Sequence, residues 1–250
     1  MSFEEFSRGD SLLHGTDIRI KLAATVLLSL VLAVGQCFST ALAGLSVGVA
    51  LVFVARLAPR AVTRRLLIIN GFTLMLWLTL PLTYPGDELV RIGPFVLSSQ
   101  GVAKAALITL KTNGMLLIFI SLASTSSSAT LGHGLEGLGV PRKLCLLLLF
   151  SYRYIFVINQ QYRRLVRAAR LRGFQPSGNL HTYRTYANLV GMTLVMSWER
   201  AERVHQAMVL RGFDGRFYTL EEQTVTRSDR LFLLAALITT LAMAALEMAC

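Results

Sequence analysis

The sequence contains few charged residues, and few of these are acidic. Only 16% of its 250 residues are charged, and Asp and Glu together number 14, whereas 54% are hydrophobic and the mean hydropathy is +0.56. Soluble domains carry charge on about a quarter of their residues. The composition therefore excludes an ordinary soluble domain and predicts an integral membrane protein.

Several chemical signatures are also missing. The G-x-x-x-x-G-K-[S/T] sequence that cradles nucleotide phosphates does not occur, so the chain is predicted not to be an ATPase or another enzyme by itself. The cysteines Cys37, Cys145 and Cys250 form no C-x-x-C pair, and the four histidines form no H-x-x-x-H pair. We therefore predict neither a disulfide framework nor a metal site, interpret the cysteines as packing residues, and expect no cofactor on this chain.

The net charge of +11 is the strongest bias in the composition. It could indicate nucleic-acid binding, but the sequence contains no zinc pattern and no aromatic-interleaved basic motif. The basic residues instead adjoin apolar stretches, as they do in proteins that they orient in a bilayer. The expected partner is therefore lipid, and nucleic acid is excluded.

Five apolar stretches predict five transmembrane helices. The uncharged run 22–55 is too long for one crossing of a hydrocarbon core about 30 Å thick, so it must turn back at "GQCFST". Lys111 and Asn113 lie inside the fourth stretch, where we interpret the lysine as snorkelling or hydrogen-bonded rather than catalytic. The predicted spans are 20–36, 40–57, 66–83, 101–123 and 231–246.

The basic residues predict which side of the membrane each loop occupies. Four arginines separate the second span from the third, whereas the loop between the first two spans has no charge. Cytoplasmic loops carry an excess of Lys and Arg, so the N-terminus is predicted to be cytoplasmic in a bacterial inner membrane. The predicted organisation is a cytoplasmic segment 1–19, a four-span region 20–124, a cytoplasmic module 125–229 and a final transmembrane helix 230–250.

The module 125–229 contains two long predicted helices, one starting at Pro141 and one in "YRTYANLVGM". Each has an apolar first half and a charged second half. The apolar part of the first, 144–158, is short for a crossing and contains Arg153, so we interpret the pair as packed together beneath the membrane. A tight in-and-out hairpin over 125–158 remains an alternative. The polar and glycine-rich stretches before Pro141 are interpreted as loop and flexible connection.

Both helices end in the same heptapeptide, A-x-x-L-R-G-F. A glycine after the last helical turn adopts the left-handed conformation that stops a helix, and an apolar residue after it folds back on the preceding turn. The arginine then projects as a fork of donors suited to carboxylates and carbonyls. Capping alone requires only the glycine, so the full duplication predicts two equivalent docking surfaces, as in a dimer of nucleotide-hydrolysing subunits. The matched positions are Ala168 and Ala207, Arg172 and Arg211, Gly173 and Gly212, and Phe174 and Phe213.

Three stretches resemble the transmembrane T component of energy-coupling-factor transporters of the cobalt and nickel (CbiQ-like) type. They are "SLLHGTDIRIKL", "YRYIFVINQQYRRLVRAARLRGF" and "SWERAERVHQAMVLRGF". The resemblance implies an all-α integral membrane protein with about five transmembrane helices and two long coupling helices. It assigns docking to Ala168, Arg172, Gly173, Ala207, Arg211 and Gly212, with support from Arg170, Phe174 and Phe213. Many members have Ala before the motif arginine, where this chain has Leu171 and Leu210.

The implied function is that of a non-catalytic scaffold in an ATP-driven importer. The implied partners are two ATP-binding-cassette ATPase subunits, which hold ATP and Mg, and a substrate-binding S-type membrane subunit. Cobalt or nickel is the expected cargo, with a biotin-like vitamin as an alternative. A conventional transporter permease, an intramembrane enzyme and a lipid-binding anchor are the other interpretations.

Overall fold

The computed structural model describes residues 13, 15–85, 87–92, 95–215 and 226–249, so most of the predicted segment 1–19 lies outside the described residues. The chain divides into two compact units. Met1–Leu138 and Gln223–Cys250 form the first, which we call the membrane unit, and Gly139–Glu222 form the second, the two-helix unit.

The membrane unit contains six helices and one hairpin among its described residues. The helices are α1 Ile18–Val34, α2 Phe38–Val54, α3 Pro59–Thr83, α4 Ser99–Leu122, α5 Ser128–Gly137 and α8 Arg227–Met248. The hairpin pairs β1 Glu88–Ile92 with β2 Phe95–Ser98 in antiparallel register. The two-helix unit consists of α6 Arg142–Leu171 and α7 Leu180–Leu210.

The prediction of an all-α membrane protein is confirmed, and each of the five predicted spans is a helix. By length and composition α3, α4, α6 and α8 can each cross a membrane, and α2 is a shorter apolar helix of 17 residues. The hairpin between α3 and α4 was not predicted. Its strands are four and five residues long, at the short end of the range in which alternation indicates a strand.

The helix α6 is longer than the apolar stretch 144–158, which we expected to be too short to cross a membrane. That stretch was expected to be too short because the count of apolar residues started after Lys143 and ended before the polar residue Asn159. The helix extends from Arg142, and an 18-residue window that tolerates Arg153 is apolar enough for a crossing. By length and composition, α6 therefore satisfies what a transmembrane helix requires.

The compact units divide the chain at other positions than the predicted boundary at residue 125, because the two-helix unit begins at Gly139 and the start of α8 lies in the membrane unit. The predicted division into membrane and cytoplasmic segments stays a prediction. Residues 128–137, interpreted as loop and flexible connection, form α5. The hydroxyl of Ser127 accepts a hydrogen bond from the backbone N–H of Thr130 at 3.1 Å and caps this helix. A Cβ on Gly134 would lie 2.7 Å from Cγ2 of Ile18, so α5 packs closely on α1.

The core of the membrane unit lies where α1, α4 and α8 meet. Its fully buried apolar side chains include Leu28, Leu32, Ile118, Leu122 and Met243. The outward faces are also apolar. Phe53 of α2 and Leu67 and Phe72 of α3 are each more than 70% exposed, as expected of side chains that a bilayer covers.

Glycines bring α2 and α4 into close contact. Gly44 and Gly48 are four residues apart on α2 and face Gly114 of α4, an arrangement of small residues common between membrane helices. A Cβ on Gly48 would lie 2.8 Å from Cβ of Leu117 and 3.1 Å from the carbonyl oxygen of Gly114. The two backbones are therefore closer than larger side chains allow.

Polar side chains inside the apolar helices are hydrogen-bonded. Lys111 donates from Nζ to the carbonyl oxygens of Ala33 and Gly35 at the end of α1. Asn70 and Asn113 donate to each other at 3.1 Å. The interpretation of Lys111 as hydrogen-bonded rather than catalytic therefore agrees with its contacts.

One cysteine differs from its predicted role. Cys145 is buried and forms no disulfide, as predicted. Cys37, in the turn between α1 and α2, is disulfide-bonded. A pairing of distant cysteines has no spacing pattern, so the sequence alone did not indicate it.

Candidate functional site

The candidate site is built on the antiparallel pair α6 and α7. Nη2 of Arg200 on α7 donates to Oε1 of Gln161 on α6 at 3.4 Å. Arg211, after the end of α7, lines a cavity together with Arg153 of α6. Arg172 lies 19 residues beyond Arg153, which is about 28 Å along a helix. The two motif arginines therefore occupy opposite ends of the helix pair.

Residues at the N-terminus of each helix explain where α6 and α7 begin. Pro141 precedes α6 as predicted, with a φ of −53° that suits entry into a helix. The side chain of Asn179 accepts from the backbone N–H of Thr182 at 3.0 Å and caps α7, which starts at Leu180. Asn179 was the sequence signal for this start, and the prediction missed it by placing the helix from Tyr183 onward.

The end of α6 has the hydrogen bonds of a Schellman motif. Gly173 has φ +86°, in the left-handed region. Its N–H donates to the carbonyl oxygen of Arg170 at 3.0 Å, and the N–H of Phe174 donates to that of Ala169 at 3.1 Å. The predicted glycine stop is confirmed.

The end of α7 repeats this geometry. Gly212 has φ +76°, its N–H donates to the carbonyl oxygen of Val209 at 3.0 Å, and the N–H of Phe213 donates to that of Met208 at 3.0 Å. The two copies of the heptapeptide therefore share one backbone structure as well as one sequence.

Each helix end presents the same exposed tip, which we define as Leu171-Arg172-Gly173 on α6 and Leu210-Arg211-Gly212 on α7. Leu171 is 90% exposed and Leu210 is 88% exposed. Both arginines are exposed, and neither guanidinium makes a hydrogen bond or ion pair with a residue in the described part of the chain. Ala168 and Ala207, one turn earlier, are also exposed, so little side-chain bulk surrounds each arginine.

The phenylalanine rings make contacts with the opposite helix that the sequence did not predict. The ring of Phe174 lies edge-on to Tyr186 of α7, with centroids 5.6 Å apart. Phe213 lines a cavity of about 400 Å³ together with Phe150 and Tyr154 of α6. Each ring lies beside the opposite helix because the antiparallel partner offers aromatic surface there. Each tip is therefore held by both helices.

In the sequence, Arg200 and Arg203 alternate with two glutamates, a pattern typical of a solvated helix face. Arg203 fits that interpretation, since it pairs with Glu199 at 3.7 Å and both side chains are more than half exposed. Arg200 instead turns toward α6, and its Nε is buried without a hydrogen-bond partner among the described residues. Met196 and Val204, four residues to either side, marked this inward face in the sequence.

Comparison with known proteins gives a consistent result. The family model of the cobalt transport protein CbiQ matches residues 9–224. Cobalt transport protein CbiQ of Rhodobacter capsulatus is 29% identical over 155 residues, which cover 61% of this chain and 62% of that protein. The energy-coupling factor transporter transmembrane protein EcfT of Heliobacterium modesticaldum is 28% identical, over 82% of this chain and 81% of that protein. The protein of the same name from Brevibacillus brevis is 28% identical, over 84% of each chain. The match to the family model covers well over half of the sequence, and this chain therefore belongs to the CbiQ cobalt transport protein family.

Proposed function

We propose that the chain is the non-catalytic T component of an energy-coupling-factor importer. In this proposal it couples ATP hydrolysis by two ATP-binding-cassette subunits to movement of a substrate-binding S-type membrane subunit. One observation carries the proposal, namely the two exposed Leu-Arg-Gly tips on identical Schellman stops. ATP and Mg belong to the ATPase subunits, since this chain has no phosphate-cradling sequence.

The chemistry of each tip defines the socket that it requires. Arg172 and Arg211 each bring five N–H donors that keep their charge at any physiological pH, so the socket must supply carboxylate or carbonyl oxygens. A leucine that is 90% exposed gains about 1.5–3 kcal/mol when it is fully buried. Leu171 and Leu210 therefore require an apolar surface beside those oxygens. That surface must be larger than the one needed by family members with alanine at these positions.

The arrangement of the tips suits a pair of identical partners. They lie at opposite ends of α6 and α7, about 28 Å apart along α6. Two copies of one ATPase subunit present the same socket twice, and each tip fills one. ATP binding then brings the two sockets together and moves the tips. Because a Schellman motif holds each tip rigidly on its helix, α6 and α7 move with the sockets.

The proposed location is the bacterial inner membrane with a cytoplasmic N-terminus. Arg56, between α2 and α3, and the three arginines in the first turns of α3 support this orientation, since the turn between α1 and α2 has no charge and belongs outside. The disulfide at Cys37 lies in that outer turn, and disulfides persist on the oxidising side of the membrane.

The proposed cargo is cobalt or nickel. The names of the matching family and of the Rhodobacter capsulatus relative support cobalt, whereas the EcfT relatives carry no cargo in their names. No group of three or more His, Cys, Asp and Glu that could hold a metal occurs among the described residues. We therefore assign metal capture to the S-type subunit. A biotin-like vitamin as cargo is the alternative, and uptake assays with Co²⁺, Ni²⁺ and biotin separate the two.

The decisive variants are Arg172→Ala, Arg211→Ala and the double substitution. Each single change is expected to weaken ATPase association about 30-fold, because a central arginine in an interface is typically worth 2 kcal/mol or more. The readouts are co-purification with co-expressed ATPase subunits and Co²⁺ uptake.

Arg203→Ala is the matched control, since Arg203 is an exposed arginine of α7 that makes a surface ion pair with Glu199. Unchanged association and uptake in the double Arg172/Arg211 variant would refute docking through the tips. The mass of the complex tests the permease alternative, which requires two copies of this chain per ATPase pair instead of one.

A further inference from the structure

Three charged side chains are buried together in the membrane unit, away from the tips. Lys21 is 1% exposed, Asp229 is 3% exposed and Asp17 is 4% exposed. Asp17 and Lys21 belong to the start of α1, and Asp229 lies in the first turn of α8. Burying charge is costly unless the charges compensate each other, so their presence at one point requires a structural reason.

Asp229 joins the starts of α1 and α8. Its Oδ1 accepts a hydrogen bond from the backbone N–H of Asp17 at 3.1 Å. Its Oδ2 accepts from the N–H of Thr226 at 2.8 Å and from the hydroxyl of Thr226 at 2.7 Å. One carboxylate therefore caps α8 and holds α1 beside it.

Lys21 adds a third segment to the cluster. Its Nζ donates to Oγ of Ser126 at 3.2 Å, in the connection between α4 and α5. The charges of Asp229 and Asp17 both act on the Lys21 ammonium. Lys21 and Asp229 thus tie the starts of α1 and α8 and the α4–α5 connection together. The carboxylate of Asp17 lies beside them and accepts a hydrogen bond from the backbone N–H of Arg19 at 2.8 Å. We call these three residues, Lys21, Asp17 and Asp229, the junction.

The position of the junction along the chain is informative. The chain leaves the membrane unit after Leu138, directly beyond α5, and re-enters it at Gln223, shortly before α8. The segment α5 is itself held on α1, because a Cβ on Gly134 would lie 2.7 Å from Ile18. Both passages between the two units are therefore anchored to the start of α1.

We propose that Lys21, Asp17 and Asp229 are positioning residues of the transport cycle, because they fix both passages to α1. A displacement of the two-helix unit is then transmitted to the membrane unit instead of being absorbed where the chain enters and leaves it. This inference rests on the proposed function, and it assigns a role to residues outside the tips.

The main test is the double variant Lys21→Met with Asp229→Asn, in the complex with co-expressed ATPase subunits. Replacing Lys21 alone leaves two uncompensated carboxylates, whereas the double change restores the original net charge of the junction and so favours folding. The measured quantities are ATPase co-purification, ATP hydrolysis and Co²⁺ uptake. We expect wild-type co-purification with uptake per ATP hydrolysed reduced about tenfold, a size typical of lost coupling.

Two further variants keep the test decisive. Ser126→Ala removes only the acceptor of Lys21 and is expected to lower uptake per ATP about threefold without changing the amount of complex. Lys111→Met is the matched control, because Lys111 also bonds to α1, but at its opposite end. It should leave uptake per ATP within about twofold of wild type.

The inference fails if the double variant and Ser126→Ala both keep the wild-type ratio of uptake to hydrolysis, or if Lys111→Met lowers that ratio as much as they do. The proposed function fails on a different result, namely that the unmodified chain does not co-purify with ATPase subunits. The two failures are therefore distinguishable in one set of measurements.

Discussion

Positions 173 and 212 require glycine because of their backbone conformation and not because of crowding. Both have positive φ values, and a Cβ at either position would meet no atom within 4 Å. The geometry of each tip therefore depends on a residue that can adopt the left-handed region without strain. Each motif arginine directly precedes its glycine, so the direction of the arginine side chain depends on the backbone conformation of that glycine.

Gly173→Ala and Gly212→Ala are expected to destabilise each helix end by about 1–2 kcal/mol, the cost of the left-handed conformation for a residue with a Cβ. Less ordered ends of α6 and α7 should weaken ATPase association, although both variants keep the docking arginines. Gly191→Ala is the control, because Gly191 lies within α7 in open space and alanine there favours the helix. Thermal unfolding in detergent and ATPase co-purification measure the two effects, and equal losses in all three variants would contradict this account.

At the residue scale, local chemistry could be predicted and long-range contacts could not. The glycine stops follow from the residues next to them, so the heptapeptide alone predicted them. The neighbours of Phe174 and the inward turn of Arg200 depend on which part of α7 or α6 lies opposite. The sequence of one helix does not show which residues of the other helix lie opposite.

At the scale of elements, the close contact of α2 with α4 depends on small residues. Gly48 is the tightest example, because its neighbours are the backbone of Gly114 and the Cβ of Leu117, which cannot move aside without shifting α4. Packing of this kind replaces the hydrophobic driving force that is missing between helices in lipid.

Gly48→Val is expected to destabilise the membrane unit by about 1–3 kcal/mol, the usual cost of overpacking. Gly71→Val is the matched control, since a Cβ on Gly71 of α3 has no neighbour within 4 Å. A lower thermal midpoint in detergent for Gly48→Val alone confirms the contact. Equal midpoints for the two variants would show that α2 and α4 are not closely packed there.

The elements that were predicted correctly are those with long uniform patterns. Apolar runs of 16 residues or more gave all five spans, because only helices bury their backbone polar groups in lipid. The short hairpin and α5 were missed for a different reason. Serine and glycine are typical of loops, yet Ser127 caps α5 and Gly134 provides the space for Ile18.

At the scale of the whole molecule, the sequence predicted a membrane region and a separate two-helix module, but not the boundary between them. The boundary lies at Gly139 because α5 packs on α1, a contact between residues more than 100 positions apart. The buried junction was missed for the same reason, since Lys21 and Asp229 are distant in sequence. The docking role of the tips concerns partners, so it stays a prediction.

Site-specific photo-cross-linking from the tips tests this central proposal most directly. A photoreactive residue replaces Leu171 or Leu210, whose side chains are about 90% exposed, in cells that express the ATPase subunits. Leu194, in the middle of α7 and 66% exposed, is the control position because it is distant from both tips. The account predicts cross-links to the ATPase subunits from both tips and none from position 194. Absence of ATPase cross-links at both tips, in a complex that still transports Co²⁺, would contradict it.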